Sequence, residues 1–254
     1  MGHENSVATL EEQIEHKSPT TGIKAAKVKK PWGKRIVKFL LRGSIFLIVL
    51  LLVAQTVWVY SGSNQWEFIG EKNGVKAYTL KTPGSDLIQA KGVFRVHSTL
   101  AGIVAVMQDP EISKDFGGLD SHTVERVDDH VQYNYFREDS PFPFSPRDFM
   151  VMTLVYQSPV TKEVLIQYDA APDKVPVNRC CVRVTQMNNS WRLTPLGNGE
   201  VEIEYIMHMN EGGYAPHFLL NLEHREIMFY LNNLQSLFDR EKYKNAKIGF
   251  IQEK

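Results

Sequence analysis

The chain has 254 residues, with Lys plus Arg and Asp plus Glu balanced at 29 each and only two cysteines. Its length suits one good-sized domain with additions. The balance is local only: nine basic and four acidic residues fall in 1–42, leaving twenty basic and twenty-five acidic beyond, and this acidic body argues against nucleic acid as a partner.

Residues 1–38 are polar and basic without periodicity, and are expected to form a disordered cytoplasmic tail. The basic run serves mainly as a topology signal, with an anionic-lipid site as the lesser alternative. A membrane-spanning helix follows at 39–60. Gly43 to Tyr60 gives eighteen residues without a charge, or roughly 27 Å of helix. Residues 17–42 carry Lys17, Lys24, Lys27, Lys29, Lys30, Lys34, Arg35, Lys38 and Arg42 without one acid. The positive-inside rule therefore puts the N-terminus in the cytoplasm and the body on the periplasmic, lumenal or extracellular side. The alternative is a secretory signal cut ahead of Asn64, which the long basic region and overlong apolar stretch disfavour.

After a polar hinge, Ser61 to Asn64, the body opens at Trp66 and continues with strands at Val75–Leu80 and Leu87–His97 around the Pro83-Gly84 turn. A short helix, Thr99–Gln108, has Leu100, Ile103, Val104 and Met107 at helical spacing, and Asp109-Pro110 starts a second one ending near Gly117-Gly118. Strands are predicted at 122–127, 130–138, 148–157, 163–170, 180–193 and 201–210. The last alternates: Val201, Ile203, Tyr205, Met207 and Met209 share one face. The strand 148–157 is apolar on both faces and is expected to be dry on both. Cys180 and Cys181, neighbours in a predicted strand, point to opposite faces and are expected as buried, unbridged thiols. From His217 to about Tyr243 one long helix carries a broad apolar face, with a tail at 247–254. Antiparallel strands with helices at the ends indicate an α+β fold.

Pro141-Phe142-Pro143-Phe144-Ser145-Pro146-Arg147-Asp148-Phe149 matches a Pro-x-Pro-x-Ser-x-Arg-Asp block. It is joined by Cys181-Val182-Arg183, Trp191-x-Leu-x-Pro195 and Gly212-Gly213-Tyr214-Ala215-Pro216 followed by Asn221. In that order these segments resemble the START family, named for steroidogenic acute regulatory protein-related lipid transfer. The resemblance spans about 66–243 within a domain at 64–246. It implies a helix-grip fold, a curved antiparallel sheet wrapped around a long C-terminal helix, enclosing a lipid or sterol tunnel. Where many members have Trp, this chain has Phe116.

A water-insoluble ligand loses contact with water in such an interior. Cavity candidates are Met150, Met152, Met207 and Met209, whose thioether chains adapt to irregular shapes, together with Phe218, Leu219 and Leu222 on the last helix. Arg126, Arg137 and Arg183 are candidates for meeting a hydroxyl or headgroup, against a competing solvated-face reading, with Glu138 or Asp169 as partners. Arg147 and Asp148 are expected to be a structural ion pair or turn device and not ligand groups. His217, Asn221 and His224 share a helical face, but no acid at a diagnostic spacing joins them, so neither a metal nor another cofactor is expected.

The expected function is non-catalytic binding of a single lipid or sterol, for transfer, presentation or sensing. The expected partners are that ligand, the membrane and a protein for cargo hand-over. The 158–163 loop and the start of the last helix near Pro216 are expected to gate the tunnel. The alternatives are a cyclase- or dehydratase-like enzyme, which the resemblance also admits, using His97, His208, Tyr135 or Asp169, and a membrane-tethered protein-interaction scaffold.

Overall fold

The computed structural model describes residues 32–85, 87–140, 142, 144–213 and 227–254. Helix α1, Trp32–Tyr60, comes first. Its apolar side chains from Ile36 to Val53 are exposed and an 18-residue window has mean hydropathy 2.5, so by length and composition it can cross a membrane. Ser44 and Thr56 donate their hydroxyls to the carbonyls of Leu40 and Leu52, which lowers the polarity they present.

The expected hinge after α1 is instead pinned. Lys81 Nζ donates to the carbonyls of Val59 (3.2 Å) and Ser61 (3.3 Å), and the Gly84 amide donates to Val59 at 2.8 Å. These bonds satisfy carbonyls that every helix C-terminus leaves without an intrahelical partner. Asn64 is held by Lys81 and Thr82 as well.

The body begins with β1 Glu67–Lys72, β2 Val75–Lys81 and β3 Ile88–His97, then α2 Leu100–Gln108 and a 3-10 segment Pro110–Phe116. Next come β4 Gly118–Arg126, β5 Val131–Glu138, β6 Arg147–Gln157, β7 Val164–Ala170, β8 Val182–Arg183, β9 Gln186–Gly197, β10 Glu200–Met207 and β11 Met209–Asn210. Helices α3 Ile227–Phe238 and α4 Glu241–Lys244 close it. The sheet order is β1-β2-β3-β10-β9-β7-β6-β5-β4, with β11 on β9 and β8 on β6. Among the described residues every pairing is antiparallel except β6 with β8.

Strand β1 was not expected. It pairs with β2 through Asn73-Gly74, both at positive φ (51° and 80°), the backbone that a two-residue hairpin turn requires. Thr99 caps α2 by accepting from the Gly102 amide, and Asp109 with Pro110 opens the 3-10 segment. Ile227, Leu231, Leu234 and Phe238 place one face of α3 on β1 to β3 and α2, in a core with Val75, Ala77, Phe94 and Ile103. Each such side chain contributes about 1.5–3 kcal/mol on burial.

Several expectations need correction. The last helix does not run unbroken to Tyr243: α3 ends at Phe238 and α4 starts at Glu241; its part from 217 to 226 lies outside the described residues. The predicted strand 180–193 is two strands, β8 and β9. Cys180 and Cys181 lie in the turn before β8, one exposed and one half-buried, with their sulfurs bonded to each other. A turn does not hold neighbouring side chains on opposite faces, which removes the objection to bridging. Strand β6 is dry on one face only along its second half: Leu154 and Tyr156 are 39% and 56% exposed while Thr153 and Val155 are buried. The 158–163 loop is tied to the chain's end, since Gln157 and Lys162 bond to Gln252. That end is itself folded back, with Ile248, Phe250 and Ile251 on the core and Glu253 accepting the first amides of α2.

Candidate ligand cavity

Two apolar clusters lie within the body. One is the large core under α3; the other is Phe149, Val151 and Val184, with Phe136, Met187 and Met209 packed on it. Interiors normally close to high density. Here side chains from both clusters line a cavity of about 330 Å³. This is at the lower end of the range for small-molecule sites, about 300–1,000 Å³.

Period-two alternation builds the walls. Strand β5 contributes Asn134, Phe136 and Glu138, β6 contributes Phe149, Val151 and Thr153, and β10 with β11 contributes Tyr205, Met207 and Met209. Tyr168 comes from β7, and Met187 and Asn189 from β9. On the other side lie Met107 of α2, Ile112 and Phe116 of the 3-10 segment, and Ile227, Tyr230 and Leu234 of α3. Phe116 packs its ring 4.5 Å from that of Tyr230.

Several polar groups on the wall are bonded within the protein. Tyr168 donates its hydroxyl to the Met107 carbonyl at 2.6 Å. The side-chain oxygen of Asn189 accepts from the His208 amide at 2.8 Å, and that of Asn134 accepts from Thr123 at 3.0 Å. Burial pushes the phenols of Tyr168, Tyr205 and Tyr230 well up; the charge of Glu138 adds to this at Tyr205 and Tyr230. All three stay protonated and able to donate at neutral pH. Asp109, also on the wall, accepts from Lys242, from Tyr243 (2.8 Å) and from the Glu111 amide (2.9 Å). Burial raises its carboxyl, but these bonds outweigh it and hold the pKa below the usual value.

Of the residues singled out in the sequence, Met207 and Met209 line this cavity. Met150 and Met152 do not: Phe149, Val151 and Thr153 face inward, so alternation turns the two methionines to the opposite face of β6. Phe218, Leu219 and Leu222 lie outside the described residues, as do His217, Asn221 and His224.

None of the three arginines lines it either. Arg126 is exposed and bonds to Gln132; Arg137 pairs with Asp120 at 3.4 Å. Arg183 is neither solvated nor paired with Glu138 or Asp169. It is buried, 2.8 Å from Asp148, and donates to the carbonyls of Pro172, Val175 and Pro176. Arg147 does not pair with Asp148 but acts on the turn before β6, reaching the carbonyls of Ser145 and Gly212, and lies 4.0 Å from Glu211.

The acid–base candidates are scattered. His97 is exposed at the end of β3, and Tyr135 packs against His122. Asp169 and His208 border a second, polar cavity. Among the described residues, no group of three or more His, Cys, Asp or Glu could hold a metal ion.

The chain is 25% identical over 182 residues to an uncharacterised protein of Pseudomonas aeruginosa, covering 71% of this chain and 90% of that one. It is 21% identical over 217 residues to the ceramide transfer protein of Xenopus laevis, covering 74% of this chain but 34% of that protein. Among solved structures it is similar to a STAR-related lipid transfer protein fragment from Xanthomonas axonopodis (TM-score 0.63, 25% identity, 69% of this chain and 99% of that one). Human STARD10 shares the fold at TM-score 0.63 and 14% identity, over 72% of this chain and 76% of that one. Residues 53–243 match the START domain, and the chain belongs to the START family.

Proposed function

We propose that this chain binds a single lipid or sterol in the cavity between its two apolar clusters, without catalysis, for transfer, presentation or sensing at the membrane. The observation that carries this reading is the cavity itself. Among the described residues, side chains from seven strands, two helices and the 3-10 segment leave a largely apolar interior open where packing would otherwise close it. Apolar lining with a few fixed polar groups suits a ligand that escapes water on entering. The lipid-transfer names of a similar solved structure and of a curated relative support the same reading.

In this account 1–38 is a cytoplasmic tail, 39–60 a single-pass anchor, 64–246 the lipid-binding domain on the periplasmic, lumenal or extracellular side, and 247–254 a C-terminal tail. Retention of the anchor is supported by the bonds from Lys81 and Gly84 to the Val59 carbonyl, which a cut ahead of Asn64 would remove. Hand-over of cargo to a protein partner completes the proposal.

Native mass spectrometry of the full chain, followed by solvent extraction, tests it. A stoichiometric lipid or sterol adduct is expected. A protein that is purified empty and refuses fluorescent lipids and sterols would overturn the reading.

A further inference from the structure

Cys180 and Cys181 are bonded to each other in the turn that leads into β8. A disulfide stabilises a fold by closing a loop, and its contribution grows with the length of that loop. Between neighbours the loop is the shortest a chain allows, so this bond does little to hold distant parts together. It is also accessible, since Cys180 is exposed and Cys181 half-buried. Exposed disulfides are the ones that external thiols reach and reduce. A cation stands beside them: Arg137 Nη1 lies 3.9 Å from Cys180 Sγ, and the pair with Asp120 at 3.4 Å holds the guanidinium in place. Such a neighbour favours a thiolate over a thiol at Cys180.

The turn is fastened to the strands that wall the cavity. The Cys181 amide donates to the Asn178 carbonyl at 3.1 Å, the Asn178 amide to Asp148 at 3.3 Å, and the Val182 amide to the Pro146 carbonyl at 2.9 Å. Val182 pairs with Arg147 at the start of β6, and a Cβ on Gly212 would lie 3.4 Å from the Val182 side chain. Next in sequence to Asp148 and Gly212 stand Phe149 and Glu211, both on the cavity wall; Arg137 is followed on β5 by Glu138, another wall residue. Two sulfurs that share a bond must separate to ordinary contact distance once it is broken. Reduction therefore opens the turn where β8 meets β6 and Gly212.

We propose that Cys180 and Cys181 form a thiol–disulfide exchange site for a thiol of the glutathione class, and that its reduction speeds ligand exchange through the neighbouring cavity. A glutathione thiolate attacks Cys180 Sγ, the exposed sulfur, forming a mixed disulfide and expelling Cys181 as a thiolate. A second glutathione thiolate attacks the glutathione sulfur of that mixed disulfide, releasing glutathione disulfide and leaving Cys180 as the thiolate that Arg137 favours. Two electrons thus pass from two glutathiones to the two cysteines, and protons from solvent complete the thiols. On the oxidising side of the membrane, where the proposed topology puts the body, the bonded form is the resting one. The exchange chemistry stands on the turn alone; its effect on the cavity rests on the lipid-binding reading.

The full chain, purified in detergent without reductant, is treated with excess glutathione and then N-ethylmaleimide, and the tryptic peptide from Cys180 to Arg183 is read by mass spectrometry. That peptide is expected to be unlabelled before glutathione, doubly labelled after it, and bonded again once glutathione disulfide is supplied. Arg137→Met should slow labelling of the reduced form several-fold at pH 7 and move its pH profile upward; an unchanged profile removes Arg137 from the site. Loading is followed with a 1-acylglycerol carrying nitrobenzoxadiazole on its chain, and Met207→Trp, which fills the cavity, gives the background. Reduced protein is expected to load at least threefold faster than oxidised protein. Cys180→Ser combined with Cys181→Ser should load at the fast rate with or without glutathione. Thiols that label before glutathione is added, or a disulfide that glutathione leaves intact in the folded protein, overturn the exchange site. Reversible exchange with equal loading in the two forms overturns the coupling to the cavity and leaves lipid binding standing. Absence of cavity-dependent uptake in either form, of this probe or any other lipid, overturns the lipid-binding reading and the coupling with it.

Discussion

Arg183 on β8 and Asp148 on β6 form an ion pair at 2.8 Å with side chains only 4% and 0% exposed. The pair explains the Arg-Asp step of the family block. Arg147 and Asp148 are neighbours on a strand, so they point apart: Arg147 holds the loop before β6 and the Gly212 carbonyl, while Asp148 faces Arg183. Arg183 in turn gathers three carbonyls of the 172–176 segment, and Asp148 accepts the Asn178 amide at 3.3 Å. Removing one partner strands the other charge in the interior. Asp148→Asn or Arg183→Met is therefore expected to cost about 3–5 kcal/mol, read by chemical unfolding in detergent. The joint replacement should cost less than either single change, and an additive result would show that the two charges act separately.

Asp109 ties α4 to the junction of α2 and the 3-10 segment through Lys242 and Tyr243. Its pKa in the folded protein is depressed, burial opposing and the hydrogen bonds prevailing. Its contribution is thus complete above its ordinary value of 3.8 and is lost as pH falls through the lowered folded value. The hydrogen bond to Asp109 also raises Lys242, so that side of the contact is lost only as pH rises past the elevated Lys242 value. Asp109→Asn should cost about 1.5–3 kcal/mol at pH 7. Thermal melts of parent and variant should converge in acid, and a gap that persists unchanged to pH 2 would refute the assignment.

Gly92 lets α3 approach β3. A Cβ built there would meet Leu231 Cδ1 at 2.0 Å, and Leu231 is fully buried. Gly92→Val is expected to destabilise by about 1–3 kcal/mol through overpacking. Combining Gly92→Ala with Leu231→Ala should couple favourably relative to the sum of the single changes. Independent effects in that double-mutant cycle would show that the close approach is not the constraint.

The sequence made some of this architecture readable and left other parts hidden for physical reasons. Val201, Ile203 and Tyr205 could be assigned to the core because their alternation is uninterrupted, and the buried face of β10 follows it. The parity of β6 is not legible, because both of its faces are apolar: the sequence offers Met150 and Met152 as readily as Phe149, Val151 and Thr153, which occupy the cavity side. The hairpin at Asn73-Gly74 has a local signal in the dipeptide itself. The alternation of Asn134, Phe136 and Glu138 on β5, which line the cavity, is a further local signal. The partner of Arg183 lies 35 positions away, on a different strand, and no local pattern points to it.

The most direct test of the central claim is photo-cross-linking of the full chain with a diazirine-bearing lipid, mapped by tandem mass spectrometry. Labels are predicted in peptides holding Phe149 and Val151, Met207 and Met209, and Ile227, Tyr230 and Leu234, all of which line the cavity, and Met207→Trp should abolish them. Labelling confined to α1, or unchanged when the cavity is filled, would contradict the account.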